Sequence, residues 1–156
     1  MATAVMATGI VYFVFLRSDR RLARLDVATE QQITQAHDRM IAAAESLKVD
    51  DLLAEVVETD RGALIANGRL FLNRDAVIEQ TRRNFRGITA LKYHVRERHV
   101  TPLSPTAALL VATGTSEART SDGQNFSTEF AHTIVLVREE GRWRVLHSHQ
   151  STPRTR

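Results

Sequence analysis

The fold is decided by the stretch Gly141-Arg142-Trp143-Arg144-Val145-Leu146-His147-Ser148-His149-Gln150-Ser151, near the carboxyl end of a 156-residue chain. Two-residue alternation divides this stretch into two faces. Trp143 and Val145 share one face with both imidazoles, whereas Arg144 and Gln150 belong to the other. The glycine at its start follows two glutamates, which is typical of a turn. The stretch therefore predicts a β-strand over 142–151 that begins after a tight turn.

The same two-residue period continues backwards through the second half of the chain. It predicts three further strands, at about 88–100, 106–119 and 125–138. The breaks between them hold Pro, Ser, Asp and Gly, the residues expected in antiparallel connections. Four strands joined by short turns predict an antiparallel meander.

Helical spacing replaces the two-residue period in the first half of the chain. Thr29 followed by Gln32 has the pattern of a capping box. Apolar residues then recur at helical spacing, which predicts a long first helix over about 30–47. Asp50 or Asp51 caps a short second helix.

A small hairpin and a third helix complete the first half. Asn67-Gly68 suits the tight turn of a hairpin. Asn73 caps the third helix, which runs to Phe85 and is ended by Gly87. Helices followed by a long antiparallel meander predict an α+β fold in which the helices cover one face of the sheet.

The last strand, with a turn glycine before Trp-x-aliphatic-x-His-x-His-x-Ser, resembles the last strand of SnoaL-like proteins and of the calcium/calmodulin-dependent kinase II association domain. The order of the elements is also similar, and the resemblance covers about residues 29 to 152. Asn73 departs from the family, whose members often begin the third helix with Gly. The resemblance implies the cone-shaped nuclear transport factor 2-like fold, with a pocket between the helices and a curved sheet. This family includes isomerases, cyclases, dehydratases and oligomerisation modules, so the fold does not decide the function.

The resemblance also implies which face of the last strand points into the pocket. Trp143, Val145, His147 and His149 would then line it. His147 is the candidate catalytic residue, since an imidazole can transfer protons near neutral pH. A structural hydrogen-bonding role for His147 is an equally good interpretation, and for His149 it is the preferred one.

Two other strands supply the remaining candidates. On strand 88–100 the polar row should face water, so Tyr93 should point into the pocket. That row consists of Lys92, His94, Arg96 and Arg98. On strand 125–138 the resemblance places Thr133 inward and Glu129 near the pocket mouth, although a solvated acid is the simpler interpretation of Glu129. The opposite face of that strand is expected to meet a partner subunit in a homodimer, through Phe130, Ile134 and Leu136.

Composition excludes several classes of site. The chain has no cysteine, so thiolate nucleophiles, disulfides and Cys-based zinc sites are absent. The formal net charge of +3 equals the excess of arginine within 17–24, which leaves the rest of the chain neutral overall. A nucleic-acid partner is therefore not expected. No metal site is expected either, because the two neighbouring imidazoles lack a third ligand at short sequence range.

The segment Met1–Leu16 carries no charge and ends in an apolar run. As a helix it would span roughly 24 Å, less than the roughly 30 Å hydrocarbon core. It is interpretable as a short membrane anchor, as an extra element packed on the domain, or as the result of a start codon assigned too far upstream. If it inserts, the arginines after it place the domain in the cytoplasm, and membrane contact is confined to Met1–Arg24.

The sequence thus predicts a segment over 1–27, a SnoaL-like domain over 28–152 and a tail over 153–156. The domain is expected to be cytoplasmic and to bind a small apolar ligand in its cone without a cofactor. Two alternatives remain. One is an isomerase, cyclase or dehydratase that works by acid–base chemistry, and the other is a non-catalytic oligomerisation module.

Overall fold

The computed structural model describes residues 26–66 and 68–153. Six strands form one sheet in the order β2-β1-β6-β5-β4-β3. Strand β1 pairs with β6 in parallel, and every other neighbouring pair is antiparallel. The strand bounds are Leu64–Ala66 for β1, Arg69–Phe71 for β2, Ile88–Ser104 for β3, Ala107–Thr120 for β4, Asn125–Glu139 for β5 and Arg142–Ser151 for β6. Their order along the chain confirms the predicted α+β plan.

Three helices accompany the sheet, α1 at Val27–Glu45, α2 at Val49–Ala54 and α3 at Arg74–Phe85. The cap of α3 is Asn73, whose side chain accepts a hydrogen bond from the backbone N of Ala76 at 3.0 Å, as predicted. The predicted cap of α1 is wrong. Asp26 is the cap, and Thr29 donates to its carboxylate from both backbone N and Oγ1 at 2.8 Å. In the predicted hairpin turn, Asn67 lies outside the described residues.

The core lies between α1 and the inner face of the sheet. Apolar residues three or four positions apart on α1 pack against alternate residues of β4, β5 and β6. Helical spacing and strand alternation each place apolar residues on a single face. The most deeply buried members are Ile33, Ala36, Ala108, Leu110, Ala112, Ile134, Leu136, Trp143 and Val145. The long helix therefore closes one side of the space in which a pocket can form.

Strand β5 presents the opposite face from the one predicted. Phe130 is 4% exposed, and Ile134 and Leu136 are fully buried in the core of their own chain. Their assignment to a dimer face is therefore wrong. The bulkier apolar row faces the helices, whereas the row that contains Glu129 and Thr133 faces away and is exposed at both of those residues.

Strand β6 changes face halfway along. Val135 pairs with His147 and Leu136 with Val145, so Leu146 is an extra residue that forms a β-bulge. Before the bulge, Trp143 and Val145 are buried. After it the alternation is reversed, and Ser148 is buried while His149 is exposed. The single strand face assumed from the sequence does not exist.

A second bulge interrupts β3 between Val95 and Glu97. It leaves Tyr93 on the inner side but turns Arg98 inward as well, so Arg98 does not share the predicted solvent-facing row. Arg98 donates to Asp38 at 2.6 Å and to the backbone O of Thr34 at 3.3 Å, both on α1. The guanidinium thus joins β3 to the long helix.

No helix among residues 26–66 and 68–153 has the length and apolar character that crossing a membrane requires. The segment Met1–Leu16, with the arginines after it, lies outside the described residues.

Candidate functional site

A cavity of about 140 Å³ lies between the helices and the inner face of the sheet. Most of its wall is apolar and comes from α1, α2, β1 and the strands opposite them. The apolar lining comprises Met40, Ile41, Ala44, Leu52, Leu53, Val56, Ala63, Leu64, Ala66, Val77, Phe85, Phe130 and Val145. A mostly apolar, concave space with a few polar groups is the usual form of a small-molecule site.

Tyr93 supplies a hydroxyl to the sheet wall of this cavity. Its ring meets that of Phe130 edge to face, with 5.5 Å between centroids. Burial raises the pKa of Tyr93, and a side-chain hydrogen bond with Gln150 opposes that effect. The phenol is therefore uncharged at neutral pH and can donate or accept a hydrogen bond.

His132 lies on the same wall, with its ring centroid 6.1 Å from that of Phe130. Its Nε2 shares a hydrogen bond of 3.0 Å with Oγ of Ser148, which belongs to the inward row of β6 after the bulge. Burial lowers the pKa of His132 from 6.5 to about 4, with a smaller effect from His149. The imidazole is therefore neutral at neutral pH.

A second imidazole lies behind His132, on α1. The ring centroids of His37 and His132 are 6.1 Å apart. His37 is 1% exposed, and neither of its ring nitrogens has a hydrogen-bond partner. Burial lowers the pKa of His37 to about 3, and the nearby Arg98 charge acts in the same direction. The neutral imidazole of His132 in the cavity wall is therefore backed by a second neutral imidazole, that of His37, in the core.

The opposite wall carries two polar side chains from α3. Thr81 is buried, and Asn84 accepts a hydrogen bond at its Oδ1 from Nε2 of Gln80 at 2.7 Å. Both residues line the cavity. The pocket therefore has polar groups on its helix side as well as on its sheet side.

Among the described residues that line the cavity there is no Asp, Glu, Lys or Arg. The carboxylate of Glu45 lies near Tyr93 but is engaged elsewhere. It accepts from the backbone N of Tyr93 at 2.8 Å and from Nζ of Lys92 at 2.7 Å. Glu45 thus covers the free edge of β3, and the cavity itself offers only uncharged dipoles.

The predicted site residues divide into three groups. Tyr93 and Val145 line the cavity. Trp143 is 2% exposed and belongs to the core under α1, but it does not line the cavity. The bulge at Leu146 places His147 and His149 on the far side of the sheet, contrary to the prediction.

On that far side His147 has a structural contact. Its Nδ1 donates to the backbone O of Gly62 at 2.5 Å and so fastens the chain just before β1. Glu129 is exposed on the outer face of β5 and is paired with Arg96 at 3.5 Å. Thr133 is exposed on the same outer face. The inward assignments of His147, His149, Glu129 and Thr133 are therefore wrong.

Sequence reasoning missed His132, Ser148 and Gln150 on the sheet, and Thr81 and Asn84 on α3. For His132 a signal was present. Its row on β5 holds the bulkiest apolar residues, whereas the other row holds Glu129 and Thr133, and the more polar row normally faces water. For Ser148 and Gln150 there was none, because the bulge that turns them inward leaves no mark in the alternation.

Within the described part of the chain, no group of three or more His, Cys, Asp or Glu residues is placed to hold a metal ion.

The family model described as the SnoaL-like domain matches residues 33–155 of the chain. A search of curated protein sequences finds no match. Solved structures are similar in fold at low sequence identity. An aromatic ring hydroxylase candidate from Novosphingobium aromaticivorans has a TM-score of 0.75 at 12% identity, over 85% of this chain and 94% of that one.

Two further structures show the same arrangement. A scytalone dehydratase candidate from the same organism has a TM-score of 0.74 at 15% identity, over 82% of this chain and 86% of that one. A nuclear transport factor 2-like superfamily protein from Salmonella enterica also has a TM-score of 0.74 at 15% identity, over 82% and 93%. The family match and the shared fold confirm the resemblance of the last strand, and the chain therefore belongs to the SnoaL-like domain family, with a nuclear transport factor 2-like fold.

Proposed function

We propose that this domain binds a small, uncharged, largely apolar molecule in the cavity between α1, α3 and the sheet. The observation that carries the proposal is the absence of charge among the described residues of the lining. A charged ligand buried there would lose its hydration without gaining a counter-charge, which is costly. An uncharged ligand meets apolar surface and a few neutral hydrogen-bonding groups.

The same observation favours binding over proton transfer. A general base works best when its pKa is near the working pH. The pKa of His132 is about 4, and Tyr93 has a raised pKa, so neither group exchanges a proton readily near neutrality. No carboxylate of the described lining is available to act as the partner of either group.

The size of the cavity limits the ligand to about one ring. An apolar cavity on the order of 150 Å³ in another protein is large enough for benzene, and this one is about 140 Å³. Three single-ring probes separate the charge states, namely phenol, benzoate and benzylamine. Only phenol is expected to bind, as measured by calorimetry and by chemical-shift changes at Tyr93 and Ser148.

A matched pair of variants on α1 tests whether binding uses this cavity. Ala44 lines it, whereas Ala42 is exposed on the same helix. Ala44→Phe should fill the space and abolish phenol binding, and Ala42→Phe should leave binding unchanged. Phenol binding that survives Ala44→Phe, or benzoate binding as tightly as phenol, would contradict the proposal.

We also propose that the domain forms a homodimer through the outer face of the sheet. That face carries an apolar patch on β4 and β5, here called the outer patch, made of Leu109, Val111, Ala131, Val135 and Val137. Val111 is 38% exposed. An apolar patch of adjacent strands left in water is unusual for a monomer. Sedimentation over a concentration series is expected to give twice the monomer mass at tens of micromolar (roughly the range of ordinary association).

A further inference from the structure

The polar groups of the cavity stand on two opposite walls with apolar surface between them. The helix wall offers the Thr81 hydroxyl and the Asn84 amide. The sheet wall offers the Tyr93 hydroxyl, the Gln150 amide and the His132–Ser148 pair. Because the helices cover one face of the sheet, these two sets face each other across the space.

Each set contains at least one hydroxyl group, and a hydroxyl can donate or accept a hydrogen bond. Ser148 already contacts His132, and Tyr93 already contacts Gln150, but each hydroxyl keeps capacity for a further hydrogen bond, which a polar ligand atom on that wall would use. A ligand with one polar end would satisfy one wall and leave the other facing apolar surface. A ligand with a polar group at each end satisfies both.

We propose that the ligand is an uncharged single-ring compound with a hydroxyl or carbonyl group at each of two opposite ends. One end is hydrogen-bonded to Thr81 on the helix wall, and the other to Ser148 and Tyr93 on the sheet wall. The apolar middle of the ring packs between Met40 and Val145, which line the cavity. This inference rests on the proposed function, since it specifies the ligand of the same cavity.

Hydroquinone, phenol and toluene form a graded series for the test, with two, one and no hydroxyl groups on one ring. We expect hydroquinone to bind about fivefold more tightly than phenol, and phenol about fivefold more tightly than toluene. Each added hydroxyl contributes one hydrogen bond to the complex. The single hydroxyl of phenol should go to the sheet wall, where more polar groups converge.

Two conservative variants assign the ends. Thr81→Val should weaken hydroquinone about fivefold, to the affinity of phenol, and leave phenol unchanged. Ser148→Ala should weaken both hydroquinone and phenol. Thr133→Val, on the exposed outer face of β5, is the matched control and should change neither. Circular dichroism of each variant checks that the fold is kept.

Equal affinity of hydroquinone and phenol, or a Thr81→Val variant that binds hydroquinone normally, would overturn the two-ended ligand while single-ring binding itself stands. If none of the three rings binds the wild-type domain, the proposed function fails, and this inference fails with it.

Discussion

At the scale of single residues, His37 is the clearest anomaly of the interior. It is 1% exposed, its two ring nitrogens have no partner, and the adjacent imidazole of His132 is itself neutral. Buried polar atoms are normally hydrogen-bonded. The nearest carboxylate on α1, Asp38, is already paired with Arg98. Protonation of either imidazole would therefore leave a charge without compensation in the core.

Stability should consequently depend on pH in a definite direction. Unfolded histidine takes up a proton near pH 6.5, whereas the pKa of His37 is about 3 and that of His132 about 4 in the folded chain. Between these values the unfolded state binds more protons. The folded state is thus destabilised as pH falls below 6.5, by on the order of 1 kcal/mol per pH unit for each histidine. Above 6.5 the two residues add no pH dependence.

Urea unfolding between about pH 7 and about pH 4 measures this dependence. His37→Leu should reduce the slope by about half and raise stability at neutral pH, because it removes two unpaired buried nitrogens. His94→Leu, at an exposed histidine, is the control and should leave the slope unchanged. An unaltered slope in His37→Leu would mean that His37 accepts a proton freely in the folded chain.

His147 gives a second prediction at this scale. Its contact with Gly62 stabilises the chain before β1, and His147 does not line the cavity. His147→Phe should lower the free energy of unfolding by about 1 kcal/mol and keep phenol affinity within about twofold. His149→Phe, at an exposed residue of the same strand, should change neither quantity. Loss of binding in His147→Phe with stability intact would restore His147 to the site.

At the scale of elements, the close approach of β3 to β4 depends on Gly114. A methyl group there would stand 2.1 Å from the backbone O of His94 and 3.0 Å from the ring of Phe130. The backbone oxygen cannot give way without displacing β3. The glycine therefore allows β3 to approach β4 closely within the sheet and leaves room for the Phe130 ring, which lines the cavity.

Gly114→Ala should accordingly destabilise the domain by about 3 kcal/mol, the upper range for overpacking. Gly123→Ala is the comparison, since that residue has a φ of +86° but nothing within 4 Å of an added methyl group. It isolates backbone strain, at about 1 kcal/mol. Thermal or urea unfolding of both variants gives the measurement, and equal effects would exclude a special role for the close approach.

The elements also show how far sequence reasoning reaches. The helices, the four long strands and the inward direction of Tyr93 follow from spacing and polarity in the sequence. The face of β6 does not, and the face of β5 follows only when polarity is weighed within each row. Both rows of β5 are largely apolar, but Glu129 and Thr133 mark one row as the outer one, and the bulkier row fills the core. On β6 the extra residue Leu146 is defined by its pairing with β5, which a single strand does not reveal.

At the scale of the whole molecule, the reversed face of β5 moves the predicted interface to other residues. Val111→Glu, in the outer patch, should give a folded monomer, because a carboxylate there opposes association without entering the core. Phe130→Glu should instead unfold the chain, since Phe130 is 4% exposed and a buried unpaired charge is costly.

Sedimentation velocity and far-ultraviolet circular dichroism separate the two results. A wild-type protein that remains monomeric at every concentration would contradict the proposed interface. A Phe130→Glu variant that is folded and monomeric would instead support an interface through Phe130, Ile134 and Leu136, as first predicted. Ala42→Glu, at an exposed residue of α1 outside the outer patch, adds the same single negative charge and should remain dimeric.

The bulge at Leu146 has a consequence for anyone who compares or redesigns such domains. Along β6 the odd positions belong to the interior up to Val145, and the even positions belong to it from Ser148 onward. The extra residue shifts the alternation by one, so beyond the bulge odd and even positions exchange sheet faces. A reading that assumes unbroken alternation along β6 places Ser148 and Gln150 on the wrong side of the sheet. A new reactive group intended for the cavity therefore belongs at 148 or 150. Labels attached at 147 or 149 would lie on the outer face of the sheet and would not reach the ligand.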